Sequence, residues 1–194
     1  MIILADKKYF LDFIVNESDF DENFKNEYYK SYKLLKELCP KKVVNHCLAV
    51  SEYVYELGNK IKENYNIDLK KALLGSLLHD IGRSVSHNMD HGIIGANILR
   101  ERGYNEDICL IVERHIGAGI TKDECIIYEL PPKDYIPTTI EEKIVAHCDN
   151  FIKGTKRVDV DYYLNKLKNC DSEEDKTYIN RILELNGEIN KLLI

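Results

Sequence analysis

Six side chains carry most of the chemistry open to this sequence: His46, the adjacent pair His79-Asp80, His91, His115 and Asp149. A neutral imidazole suits Zn, Fe, Ni or Cu and a carboxylate suits Mg, Mn or Ca, so the mixed set suits a borderline divalent ion. Asp80 has two oxygens and could bridge two cations. Arg83, three residues on, places a permanent cation beside the pair, as a site handling phosphate requires. A late basic cluster, Lys153, Lys156 and Arg157, could neutralise further phosphate oxygens. One His-Asp pair would mean little; the other four positions give it weight. Divalent ions clamping a phosphate and activating water is the chemistry these residue types support. No triad spacing supports a Ser or Cys nucleophile, and there is no Gly-rich phosphate loop.

These residues need helices to hold them. The apolar run Ala72-Leu73-Leu74-Gly75-Ser76-Leu77-Leu78 leads straight into His79-Asp80-Ile81-Gly82-Arg83. Consecutive helical residues point about 100° apart, so both ligands can face one ion only where the helix ends. Gly82, tolerant of positive φ, is the expected turning point. Upstream, Val43, Cys47, Val50, Val54, Leu57 and Ile61 recur at three- and four-residue spacing, with Pro40 in the first turn and His46 beside the stripe. Asp68, Asp90 and Asn105 read as N-caps of the helices that lead to or carry His79, His91 and His115. Gly92, Gly95 and Ala96 suggest close helix approach. Thr121-Lys122-Asp123-Glu124 and Thr139-Ile140-Glu141-Glu142 have capping-box form, and the second opens the helix ending near Asp149. Leu130 to Pro137 reads as an extended loop and Asn150 to Arg157 as a polar end. Amphipathic helices over Val160–Lys168 and Ser172–Leu193 finish the chain. Met1 to Asn16 and Glu27 to Leu38 read as accessory helices or a dimer contact, the latter in a homodimer. The class is all-α, with eight to ten helices.

At 194 residues the chain can bury one sizeable core and is read as one domain over 1–194. Net charge is −6, which weighs against a nucleic-acid-coating surface. No window is long and apolar enough for a membrane span, and the start lacks the form of a signal peptide, so the expected location is cytoplasmic. Six scattered cysteines without a Cys-x-x-Cys pair read as buried thiols, not as disulfides or a zinc ribbon. His87, in a polar loop, reads as solvent-facing or as a support behind the ligands, and His147 as structural. Tyr135, near the Pro-rich loop, is a candidate for a base pocket.

The order and contexts of the ligand-type residues resemble the HD-domain metal-dependent phosphohydrolase superfamily over roughly Leu34 to Arg157. The matching pieces are His46, Leu77 through Arg83, Asp90 through Ala96, Glu113-Arg114-His115-Ile116-Gly117, and Ile144 through Asp149. The resemblance implies an HD helical bundle, core about 34–157, with extra helices over 1–33 and 158–194. It implies one divalent ion on His46, His79, Asp80 and Asp149, and a second on Asp80, His91 and His115. The ion could be Fe, Mn, Co, Ni, Zn or Mg. The His91-x-x-x-Gly95-Ala96 segment and the Gly154-to-Arg157 stretch are similar to those of bacterial symmetrical dinucleoside-tetraphosphate hydrolases. Arg114-His115-Ile116-Gly117-Ala118-Gly119 is still more like archaeal-type HD proteins. The implied activity is hydrolysis of a small phosphorylated substrate, a nucleotide ester or anhydride, with Asp80 and Arg83 at the reaction and Arg83, Lys153, Lys156 and Arg157 on the phosphate. A non-catalytic binding or signalling module stapled by metal is the alternative, and a helical interaction protein a third.

Overall fold

The computed structural model describes residues 8–194; the part of the first expected helix that lies before Lys8 falls outside them. Helices α1 (Lys8–Asp12, continued by a π turn over Phe13–Glu17), α2 (Glu22–Leu38), α3 (Lys41–Ile61) and α4 (Leu69–Leu78) open the chain. A 3-10 turn, Ile81–Ser84, follows α4, and then α5 (His91–Glu101), α6 (Glu106–Glu113), α7 (Glu124–Ile127) and α8 (Ile140–Asn150). A two-stranded hairpin, β1 (Ile152–Lys153) and β2 (Lys156–Arg157), separates α8 from α9 (Val160–Lys168) and α10 (Glu173–Lys191). The fold is all-α apart from that hairpin.

α4 is the centre. Leu69, Ala72 and every residue from Leu73 to Leu78 are buried, as a helix apolar on all sides must be. It packs on α2, α3, α6 and α8. Gly75 makes the α6 contact close: a Cβ there would fall 2.5 Å from Ile111 Cγ2. The α3 stripe is buried at all six expected positions, from Val43 to Ile61. Five of the six cysteines are buried, and all are free thiols.

Most caps form as the residue types dictate. Asp68 accepts from Lys71 N at 3.1 Å, and Asn105 from Asp107 N at 2.8 Å. Thr121 and Glu124 make the reciprocal capping box, with Thr121 N donating to Glu124 Oε2 at 2.7 Å and Glu124 N to Thr121 Oγ1 at 3.3 Å. Thr139 caps α8, but Glu142 turns from it to Thr138 N and to Arg114. Asp90 does not cap α5; its carboxylate accepts from Ser86 Oγ at 2.5 Å and braces the preceding loop instead. The stretch after Asp149, expected as a polar end, is the hairpin, with Asn150, Phe151 and Ile152 buried.

Two buried carboxylates clamp the end of α6. Glu113, 4 % exposed, accepts from Arg100 Nη1 at 3.2 Å and Lys133 Nζ at 2.8 Å. Glu142, also 4 % exposed, accepts from Arg114 Nη1 at 3.0 Å. A buried charge is tolerated only when paired and hydrogen-bonded. The two residues before His115 are thereby tied to the 130–142 segment. Among the described residues no helix is long and apolar enough to cross a membrane.

Candidate metal centre

Five elements deliver the six ligand-type residues to one place. His46 comes from α3, His79 and Asp80 from the end of α4, His91 from the first position of α5, His115 from just past α6, and Asp149 from the last turn of α8. The α4 helix ends where the pair needs it to. His79 is still helical at φ −53°, ψ −39°, while Asp80 departs to φ −97°, ψ 13°. The turn is thus made at Asp80. Gly82, expected to supply a positive φ, is not among the glycines that have one. Its lack of a side chain serves packing, since a Cβ there would sit 1.9 Å from the carbonyl oxygen of His91.

Each of the four histidines is fixed through Nδ1 to a backbone carbonyl. His79 reaches Ser76 O at 2.7 Å, His91 Asn88 O at 2.6 Å and His115 Val112 O at 2.7 Å, each three residues back. His46 reaches Gly154 O at 2.8 Å, across the fold, on the hairpin turn. A carbonyl can only accept, so Nδ1 carries a proton in all four, and in the neutral rings Nε2 is left with its lone pair. Those lone pairs converge. His46 Nε2 lies 2.8 Å and His79 Nε2 3.4 Å from Asp149 Oδ1, and both are 3.8–3.9 Å from Asp80 Oδ2. On the other side of the same carboxylate, Asp80 Oδ1 is 3.2 Å from His91 Nε2 and 3.6 Å from His115 Nε2. The ligand atoms of His46, His79 and Asp149 lie within 4.8 Å of one another, as do those of His79, Asp80 and His115.

Three features show that this donor set fits a divalent cation. His79 Nε2 is buried without a hydrogen-bond partner. His91 Nε2 and His115 Nε2 face each other at 3.2 Å, although neither can donate when neutral. The donors are nitrogen and carboxylate oxygen, as borderline divalent ions prefer, each imidazole oriented by a carbonyl behind it. Burial would raise Asp80 and Asp149, but His79 and the other imidazoles outweigh it and hold both carboxyls well below the usual range. Burial pushes His115 down, towards the neutral ligand form. Burial also disfavours a charge on His79, but Cys47, Asp80 and Asp149 raise it well above its ordinary value. A proton therefore competes with metal for that lone pair.

The cluster forms one side of a cavity of about 410 Å³, whose walls include Arg83, His87, Asn150, Lys153 and Tyr178. Such a volume is within the range of small-molecule sites. Arg83 Nε donates to Asp80 Oδ1 at 2.6 Å. Of the late basic cluster only Lys153 borders the cavity. Lys156 is exposed, and Arg157 pairs with Glu56 at 2.5 Å and stacks 4.2 Å over Tyr53. Tyr135 does not line the cavity. It is 2 % exposed, packs with Ile116, Ile120, Cys125 and Leu130, and donates to Pro131 O. Asn150 and Tyr178 were not singled out by sequence. Asn150 Nδ2 donates to Gly117 O at 2.7 Å, joining the end of α8 to the loop after His115.

His147 is apart from the cluster, 3 % exposed against Phe151 at a ring distance of 4.7 Å. Burial pushes it down to about 4. The unfolded chain therefore takes up a proton near pH 6.5 that the folded chain refuses until about pH 4. The sign follows: stability is full above the unfolded value and is lost as pH falls through this window. By pH 5 the loss is about 2 kcal/mol. Urea unfolding with a chelator present is expected to show wild type losing that much more than His147→Leu between pH 7.5 and pH 5; equal losses would refute a buried neutral His147.

Comparison with known proteins agrees with the geometry. The HD domain family matches residues 43–153. An uncharacterised protein of Methanocaldococcus jannaschii is 55% identical over 168 residues, 86% of this chain and 99% of that protein. A tRNA (cytidine(56)-2'-O)-methyltransferase of Picrophilus torridus is 40% identical over 133 residues, 69% of this chain but 39% of that protein. A Ribonuclease Y of Thermosipho melanesiensis is 32% identical over 130 residues, 64% of this chain and 22% of that protein. The chain thus spans well under half of the methyltransferase and ribonuclease relatives. No solved structure matches. With the matched segment holding every ligand-type residue from His46 to Asp149, the chain belongs to the HD-domain metal-dependent phosphohydrolase superfamily.

Proposed function

We propose that this protein is a metal-dependent phosphohydrolase that cleaves a phosphate ester or anhydride of a small nucleotide, with water as the attacking group. One observation carries the reading: Asp80 turns one oxygen to His46 and His79 and the other to His91 and His115, at the edge of a cavity open to a ligand. His46, His79, Asp149 and Asp80 Oδ2 would hold one ion, and Asp80 Oδ1, His91 and His115 a second. Divalent ions so held supply Lewis acidity to a phosphoryl oxygen and to the attacking water.

The chain's own residues do the rest. The carbonyls behind the four imidazoles fix their tautomers. Arg83, tethered to Asp80 through Nε, has its terminal nitrogens left for phosphoryl oxygens. Lys153 offers a further cation from β1. In the reaction a water oxygen bonds to phosphorus, the bond from phosphorus to the leaving oxygen breaks, and the water's proton passes to solvent or to the leaving group. The substrate classes are dinucleoside polyphosphates, nucleoside monophosphates and cyclic phosphodiesters. The cavity beside the ligand residues weighs against a closed, purely structural metal staple, and turnover separates the enzyme from a non-catalytic binding or signalling module.

The names of the relatives support a second substrate class. Ribonuclease Y and the tRNA methyltransferases act on RNA by name, so an RNA phosphodiester belongs in the same test despite the acidic balance of this chain. The test is turnover with Mn, Fe, Co, Ni, Zn and Mg on diadenosine tetraphosphate, AMP, a cyclic dinucleotide and an oligoribonucleotide. Metal-dependent release from one of the first three is expected. Release from the oligoribonucleotide alone would transfer the activity to RNA, and no release with any metal would refute the enzyme.

A further inference from the structure

One wall of the cavity comes from beyond the matched segment. α10 lies past residue 153, yet its Tyr178 lines the cavity. The helix is held firmly: Ile179, Ile182, Leu185 and Ile189 are buried, Lys143 pairs with Glu188 at 2.8 Å, and Arg181 pairs with Glu124. The Tyr178 ring rests directly on Gly117, two residues after His115. A Cβ on Gly117, whose φ is +59°, would meet Tyr178 Cε2, Cζ and the hydroxyl at 2.4–2.6 Å. The glycine therefore makes room for this phenol.

The buried tyrosines have partners for their hydroxyls, and several half-buried ones, Tyr178 among them, have none among the described residues. Tyr28 is bonded to Ser51, Tyr135 donates to Pro131 O, and Tyr163 donates to Asn150 O. Tyr178, half-buried at the cavity, has no hydrogen-bond partner among the described residues. Burial first, and then the nearby Asp149 carboxylate, push it up to about 12. It is a protonated donor at any working pH, on a residue that lines the cavity and feels the Asp149 carboxylate. A neutral donor there complements an oxygen that carries negative charge.

We infer that Tyr178 donates its hydroxyl to a phosphoryl oxygen of the bound ligand, so that α10 completes the phosphate site. This rests on the phosphohydrolase reading above. Tyr178→Phe keeps the ring on Gly117 and removes only the donor, so the variant is expected to fold as wild type. The test is calorimetric titration of the manganese-loaded full chain, wild type and Y178F, with inorganic phosphate and separately with AMP, together with a manganese titration of each protein. The expected result is that Y178F binds both phosphate and AMP about tenfold more weakly, with manganese affinity and Tm unchanged. Equal phosphate affinity would overturn the inference and leave the enzyme reading intact. A loss confined to AMP would move the hydroxyl to the nucleoside, and a loss of manganese affinity would move it to the metal cluster; either overturns the phosphoryl assignment. Failure of wild type to bind either probe would overturn the inference, while the phosphohydrolase reading is decided separately by the turnover panel above.

Discussion

Asp80→Asn is expected to lower kcat/KM by at least about 10³-fold, some 4 kcal/mol of transition-state stabilisation, and to lose metal before it loses fold. Asp80 is the one carboxylate among the described residues within reach of all four Nε2 atoms, at 3.2–3.9 Å. An amide keeps the shape but gives one side of the site an NH2 group, which cannot ligate, and removes the charge that two ions require. It also weakens the hold on Arg83, whose Nε is bound by the charged Asp80 Oδ1 at 2.6 Å. Stability need not collapse. Without the carboxylate His79 has less reason to be charged, and a neutral Asn among neutral imidazoles costs less than an orphaned ion. Manganese stoichiometry should therefore fall while unfolding in chelator shifts little. Full metal occupancy with full turnover in D80N would refute the bridging role.

The ligand residues could be found in the sequence because their chemistry is local. Imidazoles and carboxylates are uncommon at the ends of apolar stripes, and three of the four histidines are oriented by the carbonyl three residues back, which a helix end supplies by itself. The caps at Asp68, Asn105 and Thr139 and the buried stripe of α3 were legible for the same reason.

Long-range placement was less accessible. His46 is oriented by Gly154, 108 residues away, on a hairpin too short to show alternation. Lys153 and Arg157 are alike by type and close in sequence, yet one borders the cavity and the other sits on Glu56 and Tyr53. Tyr178 lies beside the buried stripe of α10 and carries no sequence signal. Tyr135 has an equally suggestive setting and is core. Asp90 had the right type for a cap and was taken by Ser86.

Gly82 shows the limit most clearly, and its replacement should have the largest effect on stability. The residue reads as a turn-former, but its φ lies outside the positive region, so alanine can adopt the backbone without strain. What alanine cannot do is fit. Its Cβ would lie 1.9 Å from His91 O, 2.9 Å from His91 C and 2.7 Å from Gly95 N. All three are backbone atoms, so no rotamer change relieves the clash. The 3-10 turn and the start of α5 must part by about 1 Å or more, against an interior packed like a crystal. Overpacking of this kind costs about 3 kcal/mol or more. The damage is directional. The turn follows Asp80 and the displaced helix begins with His91, so the 3.2 Å approach of Asp80 Oδ1 to His91 Nε2 opens, while His46, His79 and Asp149 lie on elements that need not move. Gly82→Ala is thus expected to unfold at markedly lower urea than wild type and to take up one manganese per chain where wild type takes two. Gly103→Ala is the control: its φ is +76° and nothing lies within 4 Å of the added carbon, so it should cost about 1 kcal/mol through backbone strain alone and leave metal uptake unchanged. If G82A were no less stable than G103A and bound the same metal as wild type, the close packing of the two ligand-bearing segments would not be what holds His91 to Asp80.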